Sequence, residues 1–429
     1  MKRPLILLTA ALATASLLAG CGGGTPSGTK NDATTAKGPI KIWYSNNPDE
    51  VKWGEATIAA WNKDHTDQKV TGQQIPAGKT SEEVIGAAIT AGNTPCLIYN
   101  TAPVAVPGFQ KQGGLVDLST FKDGDKYIEA RTGDGAKQYK STDGDFYQMP
   151  WKSNPVMFFY NKAILKKAGI DPENPPLSTY KEFLDTSRKI VASKASKYAI
   201  YPSPASDFFQ SWFDFYPLYA AESKGALLLD KGKSTFTDTA GTTVADFWRT
   251  VYSEKLAGNE PYTGDAFADG VTAITSAGPW AIKSYKDIDW GVAPVPTSKG
   301  TDPKDTYTFA DSKNVGMYSS CKSQGTAWDF LKFSTSKAQD GALLETTGQM
   351  PLRSDLPTAF PAYFAKNPAY TGFADQANRT VDVPNVSNAV EVWQTFRDAW
   401  TKSVIFGKED VSSSLKTAAG KIDELAAKK

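Results

Sequence analysis

Residues 149–161 read Met-Pro-Trp-Lys-Ser-Asn-Pro-Val-Met-Phe-Phe-Tyr-Asn. Val156 to Tyr160 is a short apolar and aromatic run, the pattern of a strand buried on both faces. Pro150 and Pro155 bracket the approach and stiffen it. Lys162 to Ile170 follows as a short amphipathic helix with Ile164, Leu165 and Ala168 inward and lysines outward. Ahead of this stretch, short strands alternate with short helices. We read it as the first crossing between two lobes, with a gap between them.

Working back from the crossing, Ile40-Lys-Ile-Trp-Tyr44 alternates as a strand does. Asn47-Pro48-Asp49-Glu50 then supplies an N-cap, a proline for the first helical position and acids for the first turn, opening a helix to about Asn62. Val70 to Ile75 is the next strand. Thr80-Ser-Glu-Glu83 is a capping box before Val84, Ile85, Ala88 and Ile89, and Gly92 stops the helix. Cys96 to Tyr99 is a third strand. This alternation implies a parallel sheet with right-handed crossovers. Ligands bind such sheets outside the carboxyl ends of the strands, and those ends carry Ser45, Asn46, Asn47 and Asn100.

Forward of the crossing, Thr179-Tyr-Lys-Glu182 is a second capping box. Ser206 to Tyr216 is dense in aromatics, with Asp207 and Asp214 among them. Thr242 to Leu256 reads as a helix, and Val271 to Thr275 as a strand running into Gly278-Pro279-Trp280. Trp290-Gly-Val-Ala-Pro-Val-Pro296 is a proline-broken strand that suits a second crossing. Residues 301–313 form a polar loop, Val315 to Ser319 a strand, and Thr326 to about Glu345 a helix. Gly348-Gln-Met-Pro-Leu-Arg353 is a turn and the third crossing. The last two helices put Trp393, Phe396, Trp400 and Val404, then Leu415, Ile422 and Leu425, on one face.

The chain has 429 residues, which suits two domains. Its net charge of +1 leaves no electrostatic footprint for nucleic acid. With one histidine and three cysteines, a metal centre built on imidazole or clustered thiolate is not expected, and no cofactor is expected either. His65 reads as part of a solvated helix end rather than a catalytic base. Many of the 11 Trp, 18 Tyr and 21 Phe belong in the core, and a surplus would suit flat faces offered to a flat ligand.

The N-terminus reads as an address. Met1-Lys-Arg3 is positive and Pro4 to Leu18 is apolar, so residues 1–20 form a signal peptide rather than a span. Leu18-Ala-Gly-Cys21 resembles the bacterial lipobox, which implies cleavage before Cys21 and acylation of Cys21 (palmitate among the chains) at a membrane surface. Residues 21–38 are Gly-, Ser-, Thr- and Lys-rich, a flexible tether spanning roughly 20–25 Å.

Six segments in order resemble the extracellular solute-binding proteins of carbohydrate ABC importers, the family typified by maltose-binding protein. They are Lys111-Gln-Gly-Gly-Leu-Val-Asp-Leu118; Phe159-Tyr-Asn-Lys162 with Lys167-Ala-Gly-Ile170; Gly278-Pro-Trp280; Trp290 to Pro296; Ala327-Trp-Asp-Phe-Leu331; and the lipobox with its tether. The resemblance implies an α/β, periplasmic-binding-protein-like fold. Two lobes, each a mostly parallel sheet flanked by helices, would be joined by three crossovers near 151–156, 292–298 and 346–351. The first lobe would take 39–150 and 298–346, the second 151–297 and 347–429. The implied function is non-catalytic: a monomer anchored outside the cell captures a mono- or oligosaccharide and passes it to a membrane permease. Two other readings stand beside it, a non-sugar ligand on the same fold and an extracytoplasmic glycosidase built on Asp207 and Asp214.

By the same resemblance, Trp280 and Trp393 fall on positions that stack on sugar rings, with a place in the core as the other reading of each, and Asn154 falls on one that binds hydroxyls, with a turn before Pro155 as its other reading. Asn100 stands where the family's maltose-binding member has a tryptophan. Ser45, Asn46 and Asn47 fall in a polar ligand loop, with an N-cap as the other reading of Asn47. Asp207, Gln210 and Trp212 match a second-lobe ligand loop, and Asp311 and Arg353 are further candidates at the second-lobe side of the gap, with a surface ion pair as the other reading of Arg353. Cys96 and Cys321 are either a disulfide or two buried thiols.

Overall fold

A computed structural model describes residues 31–78 and 80–428. The expected signal peptide, the lipobox-like segment and Cys21 lie outside the described residues. The first lobe is built on β1 (Ile40–Tyr44), β2 (Val70–Gln74), β3 (Leu97–Thr101) and β4 (Met149–Lys152). The second is built on β5 (Met157–Asn161) and β6 (Tyr198–Ile200) and, after the separate small hairpin of β7 (Leu229–Asp230) and β8 (Lys233–Ser234), on β9 (Thr272–Ala277) and β10 (Trp290–Ala293). Then come β11 (Thr308–Phe309), β12 (Lys313–Met317) and β13 (Thr380–Val381). The main sheets run in the order β2-β1-β3-β12-β4 and β10-β5-β9-β6.

Both sheets are mixed rather than mostly parallel. β1 pairs in parallel with β2 and β3, but β12 is antiparallel to β3 and β4. In the second lobe only β6 and β9 run parallel. The cause is the shared chain: strands that enter a lobe from the hinge run against those that reach it by helical crossover. Local signals set the helices. Asn47 Oδ1 accepts from the Asp49 and Glu50 N–H groups at the start of the Pro48–Asp64 helix. Thr179 and Glu182 form the reciprocal capping box of the Tyr180–Ala192 helix. The expected helix over 326–345 is two, Gln324–Ser334 and Lys337–Thr347, because Ser336 starts a new one by accepting from Gln339 N–H.

The second crossing is not where the prolines suggest. Trp290 to Ala293 pairs antiparallel with Phe158 to Asn161 as a sheet-edge strand, and Thr297 O then accepts from Tyr180 N–H at 3.0 Å. Pro294 and Pro296 end this strand without sending it out of the lobe. The chain stays with the second lobe through β11, whose Phe309 O accepts from Val156 N–H. It crosses over residues 310–313, where Asp311 N–H donates to Asn154 O and Lys313 pairs with Lys152. The first lobe therefore resumes near 313 rather than 298. The third crossing lies at 349–352, where Ser153 N–H donates to Met350 O and Leu352 N–H to Trp151 O.

Residues 33–38 belong to the folded body instead of the tether. Ala36 O accepts from Gly325 and Thr326 N–H, Gly38 N–H donates to Thr326 Oγ1, and Lys37 pairs with Asp329. Cys96 and Cys321 are disulfide-bonded, tying the start of β3 to the loop after β12. A cross-link over 225 residues restricts the unfolded chain and is worth about 5 kcal/mol on a loop-entropy account.

Candidate functional site

The floor of the gap is a buried polar chain through all three crossings. Lys152 Nζ donates to Glu50 Oε1 at 2.6 Å, and Gln349 Nε2 reaches the same oxygen at 2.6 Å. Asn154 Nδ2 donates to Gln349 Oε1 and Asp311 O, while its Oδ1 accepts from Met350 N–H at 3.2 Å. Burial holds the Lys152 ammonium below its usual range, with Glu50 opposing. Both amide ends of the Asn154 side chain are thus spent on the hinge. It joins the crossings and does not face a ligand, a correction to its expected role.

Behind the floor, Arg131 donates to Asp340 and to the carbonyls of Pro150, Trp151 and Leu352. Arg353 completes this cluster through Asp340 at 3.1 Å and Asp355 at 2.9 Å. It lines a crevice with Thr132, Gln138 and Ser153 that is separate from the hollows beside Phe208, and its guanidinium is committed to the two carboxylates.

The groove between the lobes has unlike walls. A short helical turn, Phe208–Trp212, forms the second-lobe wall, with half-buried Phe208, Phe209 and Phe213 beside buried Trp212. Phe208 meets Trp212 edge-on at 5.5 Å. Glu82, Ala102, Asp311 and Lys313 face them across a hollow of about 280 Å³. A wider hollow of about 480 Å³ continues it, with Asp207, Glu391 and Gln394 opposite Thr80, Val104 and Phe109. Asp311 is ion-paired with Lys313.

Trp280 stands half-buried at the next position along this wall, edge-on to Phe213 at 6.2 Å. Its ring folds over Gly278, where a Cβ would lie 2.0 Å from Cζ3. Only glycine lets the indole lie against the backbone there. Two groups hold the lobes against each other beside the groove. Lys283, one turn past Trp280, pairs with Asp49 at 3.2 Å and donates to Thr346 O at the end of the Lys337–Thr347 helix. Ala102 and Val104 pack in the apolar cluster of the second lobe.

Several expected residues are elsewhere. Trp393 is completely buried, between Tyr216 at 4.9 Å and Trp212 at 6.0 Å, and offers no face to a ligand. Its helix turns that whole side inward, which is the physical reason the core reading prevails. Asn47 is an N-cap, Ser45 is buried with Oγ accepting from Asn47 N–H, and Asn46 is exposed. Asn100, the next-to-last residue of β3, lies in the left-handed region at φ 65°. Gln210 is half-buried and belongs to neither hollow's wall. Asp214 is sealed in the core, bonded to Arg397 Nη1 at 2.7 Å and Trp400 Nε1 at 3.1 Å. Burial pushes its carboxyl up while Arg397 opposes. No carboxylate pair formed by Asp207 and Asp214 flanks the groove, which removes the residues on which a glycosidase would rest.

Phe208, Phe209, Phe213, Glu82 and Lys313 line the groove without having been singled out. Aromatic density over 206–216 pointed to the segment, but an irregular turn has no period from which to say which rings face outward.

The profile of bacterial extracellular solute-binding proteins matches residues 56–372. The chain is 27% identical over 374 residues to a diacetylchitobiose-binding protein of Streptomyces coelicolor, covering 83% of each. It is 23% identical over 354 residues to a maltodextrin-binding protein of Bacillus subtilis, covering 78% of each. In structure it resembles the cyclic alpha-maltosyl-1,6-maltose binding protein of Arthrobacter globiformis, with a TM-score of 0.79 at 18% identity over 91% of this chain and 99% of that one.

Proposed function

We propose, from the premise that this chain belongs to the bacterial extracellular solute-binding protein family, that it captures a mono- or oligosaccharide between its lobes and delivers it to the membrane permease of an ABC importer. One observation carries the reading: a groove between two hinged lobes where the rings of Phe208, Phe209, Trp212 and Phe213 stand among Glu82, Asp207, Asp311, Lys313, Glu391 and Gln394. A sugar has apolar C–H faces and a rim of hydroxyls. Rings meet the faces, and planar amides and carboxylates meet the rim. The sugar-binding names of the two relatives support the same cargo. Bending at the three crossings would close the lobes over the ligand and present the permease with a closed surface.

Isothermal calorimetry against a broad panel of mono- and oligosaccharides tests this. Binding to at least one member is expected, and no binding to any member refutes the reading. Attachment outside the cell through acylated Cys21 is part of the proposal, resting on the Leu18-Ala-Gly-Cys21 sequence. Cys21→Ser should release the protein from the membrane fraction; retention of the variant there would count against it.

A further inference from the structure

We infer that Tyr201 and Tyr262 form a second sugar subsite that extends the groove beyond Trp280, so that the preferred ligand is an oligosaccharide; this rests on the carbohydrate reading. A cavity of about 350 Å³ lies on the second lobe and shares Phe213 with the groove. Trp280, Tyr201, Tyr262 and Tyr285 line it, with Ser203, Asp265 and Ser276 among the polar lining. It holds about one ring and its hydroxyls, by the usual size of small-ligand pockets.

The tyrosines are held, not loose. Tyr201 Oη donates to Glu260 O at 2.6 Å, and Tyr262 Oη to Asp269 Oδ2 at 2.8 Å. Their rings sit 5.7 Å apart at 51°. Tyr201 rests on Gly258, where a Cβ would lie 2.2 Å from Cε2. The ring of Trp280 is seated on Gly278 in the same way. Rings anchored at one end lose little freedom when a ligand covers their faces. Tyr262 is 39% exposed, one of two large hydrophobic side chains exposed among the described residues, and it is the one that lines a cavity beside the groove.

The order along the surface is Phe208, Phe209 and Trp212 in the groove, Phe213 and Trp280 at its shoulder, then Tyr201 and Tyr262. A chain of sugar units laid along this row meets a ring at each step. One unit in the groove reaches only the first group.

Calorimetry on a ladder of α-1,4-glucose and chito-oligosaccharides of two to five units tests the inference. Wild-type affinity should rise with length beyond two units. Tyr262→Ala should weaken the longer members by roughly tenfold, the scale of one lost aromatic contact, and the loss should grow with length. Tyr262→Phe, which keeps the ring, should retain most of the wild-type gain. A loss equal at every length, or no loss at all, overturns the subsite while sugar binding stands. Failure of every sugar to bind the wild type overturns the carbohydrate reading and the subsite with it.

Discussion

Trp280 and Trp393 carry the same side chain and the same family expectation, yet one is a half-exposed ring on a shoulder and the other a sealed core residue. The difference lies in their supports. Trp280 follows Gly-Pro at an irregular turn, so its ring is placed by close approach to Gly278. Trp393 lies on Ala389–Trp400, a regular amphipathic helix that buries Val392, Phe396, Arg397 and Trp400 with it. A helix decides exposure by period; a turn decides it residue by residue. Around Trp393, side chains serve stability, and around Trp280 the proposed function has them serve the ligand.

The sharpest break of this comparison is reciprocal. Trp393→Ala should cost about 3–5 kcal/mol of stability, read by denaturant unfolding, while the folded fraction keeps its sugar affinity. Trp280→Ala should do the reverse, weakening affinity with little change in unfolding midpoint. Equal effects on both readouts for both variants would erase the distinction.

Arg397→Ala tests the same buried region through charge. It strands Asp214 without its cation, at a cost of about 3–5 kcal/mol. It also frees the 203–205 backbone, because Arg397 donates to Ser203 O at 2.7 Å and Ala205 O at 2.9 Å. Replacing both Asp214 and Arg397 by apolar residues should recover much of the stability.

Asp382 belongs to that region too, since its backbone carbonyl accepts from Tyr216, which packs on Trp393. Burial raises its carboxyl to about 6. The hydroxyls of Tyr139 and Ser312, bonded to each other at 3.0 Å, face it without completing a bond to Oδ2. A folded pKa above the unfolded value of about 3.9 gives a contribution fully present below pH ~4 and lost as pH rises through ~6. Asp382→Asn should therefore gain up to about 3 kcal/mol over wild type at pH 7.5 and nothing at pH 4. Parallel stability–pH curves for the two proteins would refute this.

On the Trp280 side, Gly278→Ala should push the indole off its seat and weaken sugar binding with little change in melting temperature. The smallest effect belongs to Lys283→Gln. The Lys283–Asp49 pair is partly solvated, so its loss should weaken binding by less than about fivefold. That loss should vanish at high ionic strength.

Local signals made much of the fold legible. Asn47, Thr179 and Glu182 cap the helices they were read to cap. β1, β3 and β5 lie within a residue or two of their apolar runs. The second crossing was not legible, because prolines at 294 and 296 mark a strand end equally well inside a lobe and between lobes. That the Trp280 ring would stay outside the core was legible from Gly-Pro-Trp. Asn154 was not, since a polar residue in a crossing can face ligand or neighbouring chain with the same sequence.

By itself, the amino-acid order determined the two-lobed α/β plan, the helix starts and the apolar faces, because caps and periodicity act over a few residues. Only the tertiary structure decided that Asn154 and Gln349 lock the hinge, that Asp214 pairs with Arg397, and that Phe213 and Trp280 share a wall with Tyr262. Those outcomes depend on what long-range packing places opposite each side chain, and no spacing along the chain encodes that.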